Sequence, residues 1–149
     1  MARHLVEPLR ECAERLRNVR SARVFEFAAG APADCGKEAT LLVLGALSTL
    51  LPAVKANVDV SERRLVTVRT LNPMLRESRI EQVDFVSIDV EGTELNVLQG
   101  FSLDHYRPRL LLIHCKHAYI TDRGYKLVRR TNLNSWYVPD RCRSSGIGS

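Results

Sequence analysis

Val83-Asp84-Phe85-Val86-Ser87-Ile88-Asp89-Val90-Glu91-Gly92-Thr93-Glu94-Leu95-Asn96-Val97-Leu98-Gln99-Gly100 is the stretch on which the reading of this chain turns. Its first half is a short apolar run rich in β-branched and aromatic residues, the pattern of a buried strand, and its second half sets Leu95 and Leu98 at helical spacing. Asp89 and Glu91 fall between the two, at the carboxyl end of the strand, where open α/β sheets place their ligand crevice. Two readings of these acids stand side by side: groups that face a ligand, or groups that favour the positive end of the helix. Gly92 suits a tight turn, and Gly100 followed by Phe101 suits a left-handed helix stop with an apolar clasp on Val97.

Working outward, His4-Leu5-Val6 is a strand fragment closed by Glu7-Pro8, with Pro8 suited to the first position of a helix. Leu9, Cys12, Ala13 and Leu16 then recur on one helical face, so strand, acid and helix follow one another again. Glu7 has the position from which an acidic side chain binds the hydroxyls of a ribose, and equally that of a simple helix-end charge. Ala22–Phe27 reads as a third strand. The small residues Ala28, Ala29, Gly30 and Ala31 after it leave room for a flat ring, or simply make a loop.

Asp34-Cys35-Gly36 is a turn, Ala39–Leu44 an apolar strand, and Arg64–Arg69 an alternating strand suited to pair with it. Asn72 is placed as the N-cap and Pro73 as the first residue of a short helix through Glu77. Leu110-Leu111-Leu112-Ile113 is a continuous apolar run, as expected of a strand covered on both faces. Residues 124–128 and 134–138 read as a closing hairpin, and residues 140–149 as a flexible tail. Strands alternating with helices, then a terminal hairpin, predict an α/β sandwich: a mainly parallel sheet with an antiparallel edge.

The 149 residues allow one domain, and 45% apolar with 26% charged residues is ordinary for a soluble globule. No secretory signal opens the chain, and the most apolar stretch, Leu41–Val54, is too short and too interrupted for a bilayer. Cys12, Cys35, Cys115 and Cys142 are widely spaced, which points to reduced thiols in a cytoplasmic protein rather than to a zinc site or a disulfide framework. The formal charge of +5 is C-terminal: residues 1–100 carry 13 Lys and Arg against 14 Asp and Glu, residues 101–149 nine against three. No aromatic residues interleave with those arginines, so a solvated face is expected and nucleic acid is not the expected partner. No Gly-x-Gly-x-x-Gly occurs, which argues against a dinucleotide dehydrogenase.

His114 and His117 flank Cys115, but residues three apart on a strand point to opposite faces and no carboxylate set is expected nearby, so no metal is predicted. His117 is either a surface histidine or a proton acceptor beside a substrate.

Together these segments resemble the FkbM family of S-adenosylmethionine-dependent methyltransferases. The resemblance rests on Val6-Glu7-Pro8 before a helix, Glu38-Ala39-Thr40-Leu41 after a Gly turn, and Val66-Thr67-Val68-Arg69-Thr70-Leu71. The most specific part is Ile88-Asp89-Val90-Glu91-Gly92-Thr93-Glu94 with Val97-Leu98-Gln99-Gly100; Arg107-Pro108, Gly124-Tyr125 and Asn134 follow in order. It implies a Rossmann-like class I methyltransferase sandwich over residues 1–139 and methylation of a hydroxyl on a small molecule, sugar or lipid-like compound without a metal. It further implies that Glu7 holds the ribose of S-adenosylmethionine, that Ala28 and Ala29 border the adenine, and that Asp89 and Glu91 face donor and acceptor, with Asp89 orienting or deprotonating the hydroxyl. Members normally begin one strand earlier, with a glycine-rich turn. The chain is thus expected to be N-terminally truncated, leaving two strands with open edges to be met by strand shifts, a homo-oligomer or the missing segment. Relatives tend to carry Asp at Asn72, where either residue would cap, and an acid at His114. The competing expectation is an inactive methyltransferase-like remnant or fragment acting as an interaction module.

Overall fold

The chain alternates short extended runs with helices as its turn residues dictate. A computed structural model describes residues 2–43, 48–50, 62–114 and 118–140. Strand β1 (His4–Val6) leads through α1 (Arg10–Val19) to β2 (Arg23–Phe25), which pairs with β1 in parallel, Leu5 opposite Val24. Helix α1 turns Ala13 fully inward and leaves Arg10, Glu11, Glu14 and Arg17 in solvent, as the apolar spacing requires. Leu9 is the extended residue before the helix, so Pro8 stands ahead of the first turn rather than in it.

Ala28 and Ala29 do not make a loop. They form β3 (Ala28–Ala29), parallel to β5 (Glu62–Arg69), which pairs antiparallel with β4 (Glu38–Val43). The pairing of the apolar run with the alternating one is as predicted; Leu44 lies outside the described residues. Val66 and Val68 are buried with Ala28 and Leu41, while Leu65 is 70% exposed on the opposite side. A 3-10 turn at Pro32–Asp34 carries the chain from β3 to β4.

Helix α2 (Leu71–Glu77) then leads to β6 (Phe85–Ile88). The third sheet has the order β6-β7-β9-β8. β6 is parallel to β7 (Leu110–His114), and β9 (Asn134–Pro139) runs antiparallel to both β7 and β8 (Tyr125–Thr131), so the closing hairpin is as predicted. Ile88, Leu111, Ile113 and Tyr137 form one buried face, in a cluster with Val97 and Leu98 of α3 (Glu94–Gln99) and Leu103 and Tyr106 of α4 (Leu103–Tyr106). The opposite face is only partly covered, Phe85 being 46% exposed. The expectation that Leu110–Ile113 would be covered on both faces is therefore corrected: the cluster reaches one side only. A four-residue helix, α5 (Ala118–Thr121), adds Ile120 to the same core.

The fold is mixed α/β, and among the described residues the sheets are mixed and do not form a single, mainly parallel one. Three parallel and three antiparallel pairings connect the named strands in three separate sheets. Two antiparallel pairings, β4 with β5 and β8 with β9, account for much of the difference; the second is a hairpin closed by a short turn, which needs no crossover. Among the described residues β1 pairs only with β2 and β6 only with β7, so each has one edge without a strand neighbour. Among the described residues no helix is long and apolar enough to cross a membrane.

Candidate functional site

The parallel register of β6 and β7 sets Ile88 opposite Ile113, and both side chains enter the core. One residue further, Asp89 and His114 therefore leave the sheet together at the same level and on the other face. The Asp89 carboxylate is 55% exposed, and its Oδ1 lies 3.5 Å from His114 Nδ1, an ion-pair distance when the imidazole is protonated. Glu91 joins them, with one ligand atom from each of Asp89, Glu91 and His114 lying within 4.8 Å of the others. The expectation that no carboxylate set stands near His114 is thus corrected. The spacing is that of a cation cradle, and acidic groups also gather beside a histidine without any ion.

The turn that carries the acids is tightly determined. Glu91 (φ 52°) and Gly92 (φ 107°) are consecutive left-handed residues and reverse the chain between strand and helix. The Glu94 carboxylate, 1% exposed, accepts through Oε1 from the backbone N–H of Val90 (3.3 Å) and of Gly92 (3.1 Å). Thr93 Oγ1 donates to the Val90 carbonyl at 3.4 Å, and Thr49 Oγ1, from 42 residues earlier, donates to the Glu91 carbonyl at 2.8 Å. Neither Asp89 nor Glu91 caps α3, which starts after Thr93 with no side-chain cap. Side-chain capping of the helix by these acids is therefore not seen.

Glu7 closes β1, and its Oε1 accepts from the Leu9 N–H at 2.9 Å, the local helix-start interaction that its position allowed. It stands outside the Asp89–Glu91–His114 group. Ala28 is 3% exposed and Ala29 half-buried, so of this pair Ala29 offers the surface. His117 lies outside the described residues. A surface cavity of about 100 Å³ lined by Leu103, Asp104, Arg107, Arg123, Tyr125 and Asp140 sits at the start of β7, the end opposite His114, and includes neither Asp89 nor Glu91.

Sequence reasoning did not assign roles to Glu94, Thr49 or His114 as Asp89's partner. A glutamate at the first helical position after an acidic turn is a visible signal for Glu94, whereas Thr49 has none, since its contact spans distant segments.

The methyltransferase FkbM domain model matches residues 2–132, which takes in β1 through β8 and the whole acidic turn. No curated protein and no solved structure matches the chain.

Proposed function

Since the chain belongs to the FkbM methyltransferase domain family, we propose that it transfers a methyl group from S-adenosylmethionine to a hydroxyl of a small-molecule, sugar or lipid-like acceptor. The observation that carries this reading is the pair Asp89 and His114, set side by side at adjacent parallel strand ends with the carboxylate open to solvent.

The residues present fit such a donor. Glu7 uses one carboxylate oxygen on Leu9, and its other oxygen is the acceptor for a ribose hydroxyl. Ala29 offers a small, half-buried surface for the adenine, with Ala28 packed behind it in the core. Asp89 and Glu91 supply negative charge that complements a sulfonium. When bound, S-adenosylmethionine supplies an electrophilic methyl group for in-line displacement.

What remains for this chain is alignment and proton removal. Asp89 orients the acceptor hydroxyl and takes its proton; His114, 3.5 Å away, limits the rotamers open to that carboxylate. Glu91 holds the acceptor's other polar groups away from the proton path. His117 is a second proton acceptor proposed from the sequence.

The reading as an inactive interaction module draws on the open edges of β1 and β6. Calorimetry with S-adenosylmethionine tests both: saturable one-to-one binding, weakened in Glu7→Gln, supports the transferase, and the lack of any binding heat supports the module.

A further inference from the structure

We infer that Glu94 is a positioning residue whose buried carboxylate fixes the Val90–Gly92 turn and thereby sets Asp89 against His114. The catalytic consequence rests on the proposed role of Asp89; the structural claim does not. A carboxylate only 1% exposed is unfavourable unless hydrogen bonds or an opposite charge compensate it. Among the described residues Glu94 forms no salt bridge, so its compensation is the pair of amides it accepts, Val90 and Gly92. Charge-assisted bonds of this kind are stronger than those to a neutral acceptor.

Those two amides bracket Glu91, a non-glycine residue in a left-handed conformation that its side chain disfavours. One oxygen binding both sides of Glu91 opposes its relaxation. Thr49 and Thr93 hold the carbonyls of the same turn, Glu91 and Val90, but neither satisfies the two N–H groups. Without Glu94 those donors lose their partner, the turn opens, and Asp89, one residue before it, is no longer directed at His114. Of the three acids in the segment, two face outward to act and the third faces inward to hold them.

The test is amide hydrogen exchange and histidine-ring NMR on the ¹⁵N-labelled full chain, with turnover measured in parallel. In Glu94→Ala, exchange at Val90 and Gly92 is expected to accelerate about tenfold or more while the amides of β7 keep their protection. The His114 ring signals are expected to move to their positions in Asp89→Asn, and kcat to fall to the Asp89→Asn level with S-adenosylmethionine affinity retained. Glu94→Gln, which keeps an oxygen acceptor, is expected to rescue exchange and ring signals. Unchanged exchange and unchanged His114 signals in a folded Glu94→Ala overturn the proposal. If that variant does not fold, Glu94→Gln decides: Val90 and Gly92 amide proton shifts that change while those of β7 stay support it, and unchanged shifts overturn it. Absence of turnover in the unsubstituted chain would sink the transferase reading and leave the NMR arms intact.

Discussion

Asn72 and Ser102 are joined twice: Asn72 Oδ1 accepts from the Ser102 N–H at 2.9 Å, and Asn72 Nδ2 donates to Ser102 Oγ at 2.8 Å. With the Asn72 N–H donating to the Gly100 carbonyl at 3.2 Å, the start of α2 is fastened to the chain between α3 and α4. Asn72 is not the N-cap; Thr70 is, and it makes no side-chain bond. Asn72→Ala leaves the Ser102 amide without its acceptor and is expected to lower stability by about 2 kcal/mol, read from urea unfolding. Asn72→Asp keeps that acceptor and lets the serine hydroxyl donate instead, so its expected loss is smaller, about 1 kcal/mol.

Gly100 does not end its helix in a left-handed conformation, as Gly-Phe suggested, since its φ is −88°. It is small because a Cβ there would lie 2.5 Å from the Gly30 carbonyl oxygen and 2.9 Å from Thr70 Cγ2. Gly100→Ala must push two backbones apart and is expected to lose about 2–3 kcal/mol in thermal unfolding. Gly36 (φ 83°) has nothing within 4 Å of such a Cβ, so Gly36→Ala meets only the conformational penalty of about 1 kcal/mol.

Alkaline pH should weaken the fold through Tyr125. Burial raises its phenol to about 12, and its hydroxyl donates to the Pro108 carbonyl at 3.0 Å. The folded chain therefore keeps this proton after the unfolded chain has released it near pH 10. The contribution is fully present below about pH 10 and declines as pH rises toward about 12. Unfolding midpoints measured from pH 8 to 11.5 should fall above pH 10, and Tyr125→Phe should flatten that part of the curve.

On the role proposed for Asp89, Asp89→Asn removes the proton acceptor while keeping the side chain's shape. Turnover is expected to fall about 100-fold or more, with S-adenosylmethionine affinity changed little, in a methyl-transfer assay on a hydroxyl acceptor. Unchanged turnover would remove Asp89 from the mechanism.

Much of the local structure was legible from the residues. Strands β1, β4 to β6, β8 and β9, and the strand-to-helix step at 85–99, follow from short-range apolar spacing and from Gly and Pro punctuation. Two departures have a common origin: Ala28 and Ala29 form a strand and not a loop because Ala28 pairs with Val68, 40 positions away, and Asn72 is no cap because its side chain meets Ser102, 30 positions away.

By itself, then, the sequence determined that acids would stand at the carboxyl end of a strand, because a β-branched run followed by Asp, Glu and Gly has few other local forms. Only the tertiary structure decided how the acids divide the work. The parallel register of β6 and β7 brings His114 to Asp89, and Thr49 reaches the Glu91 carbonyl from across the chain. Glu94 turns inward to the backbone N–H groups of the turn. Asp89, Glu91 and Glu94 carry the same chemical group, so composition and spacing could not say which was solvated and which buried; partners brought by folding made that choice.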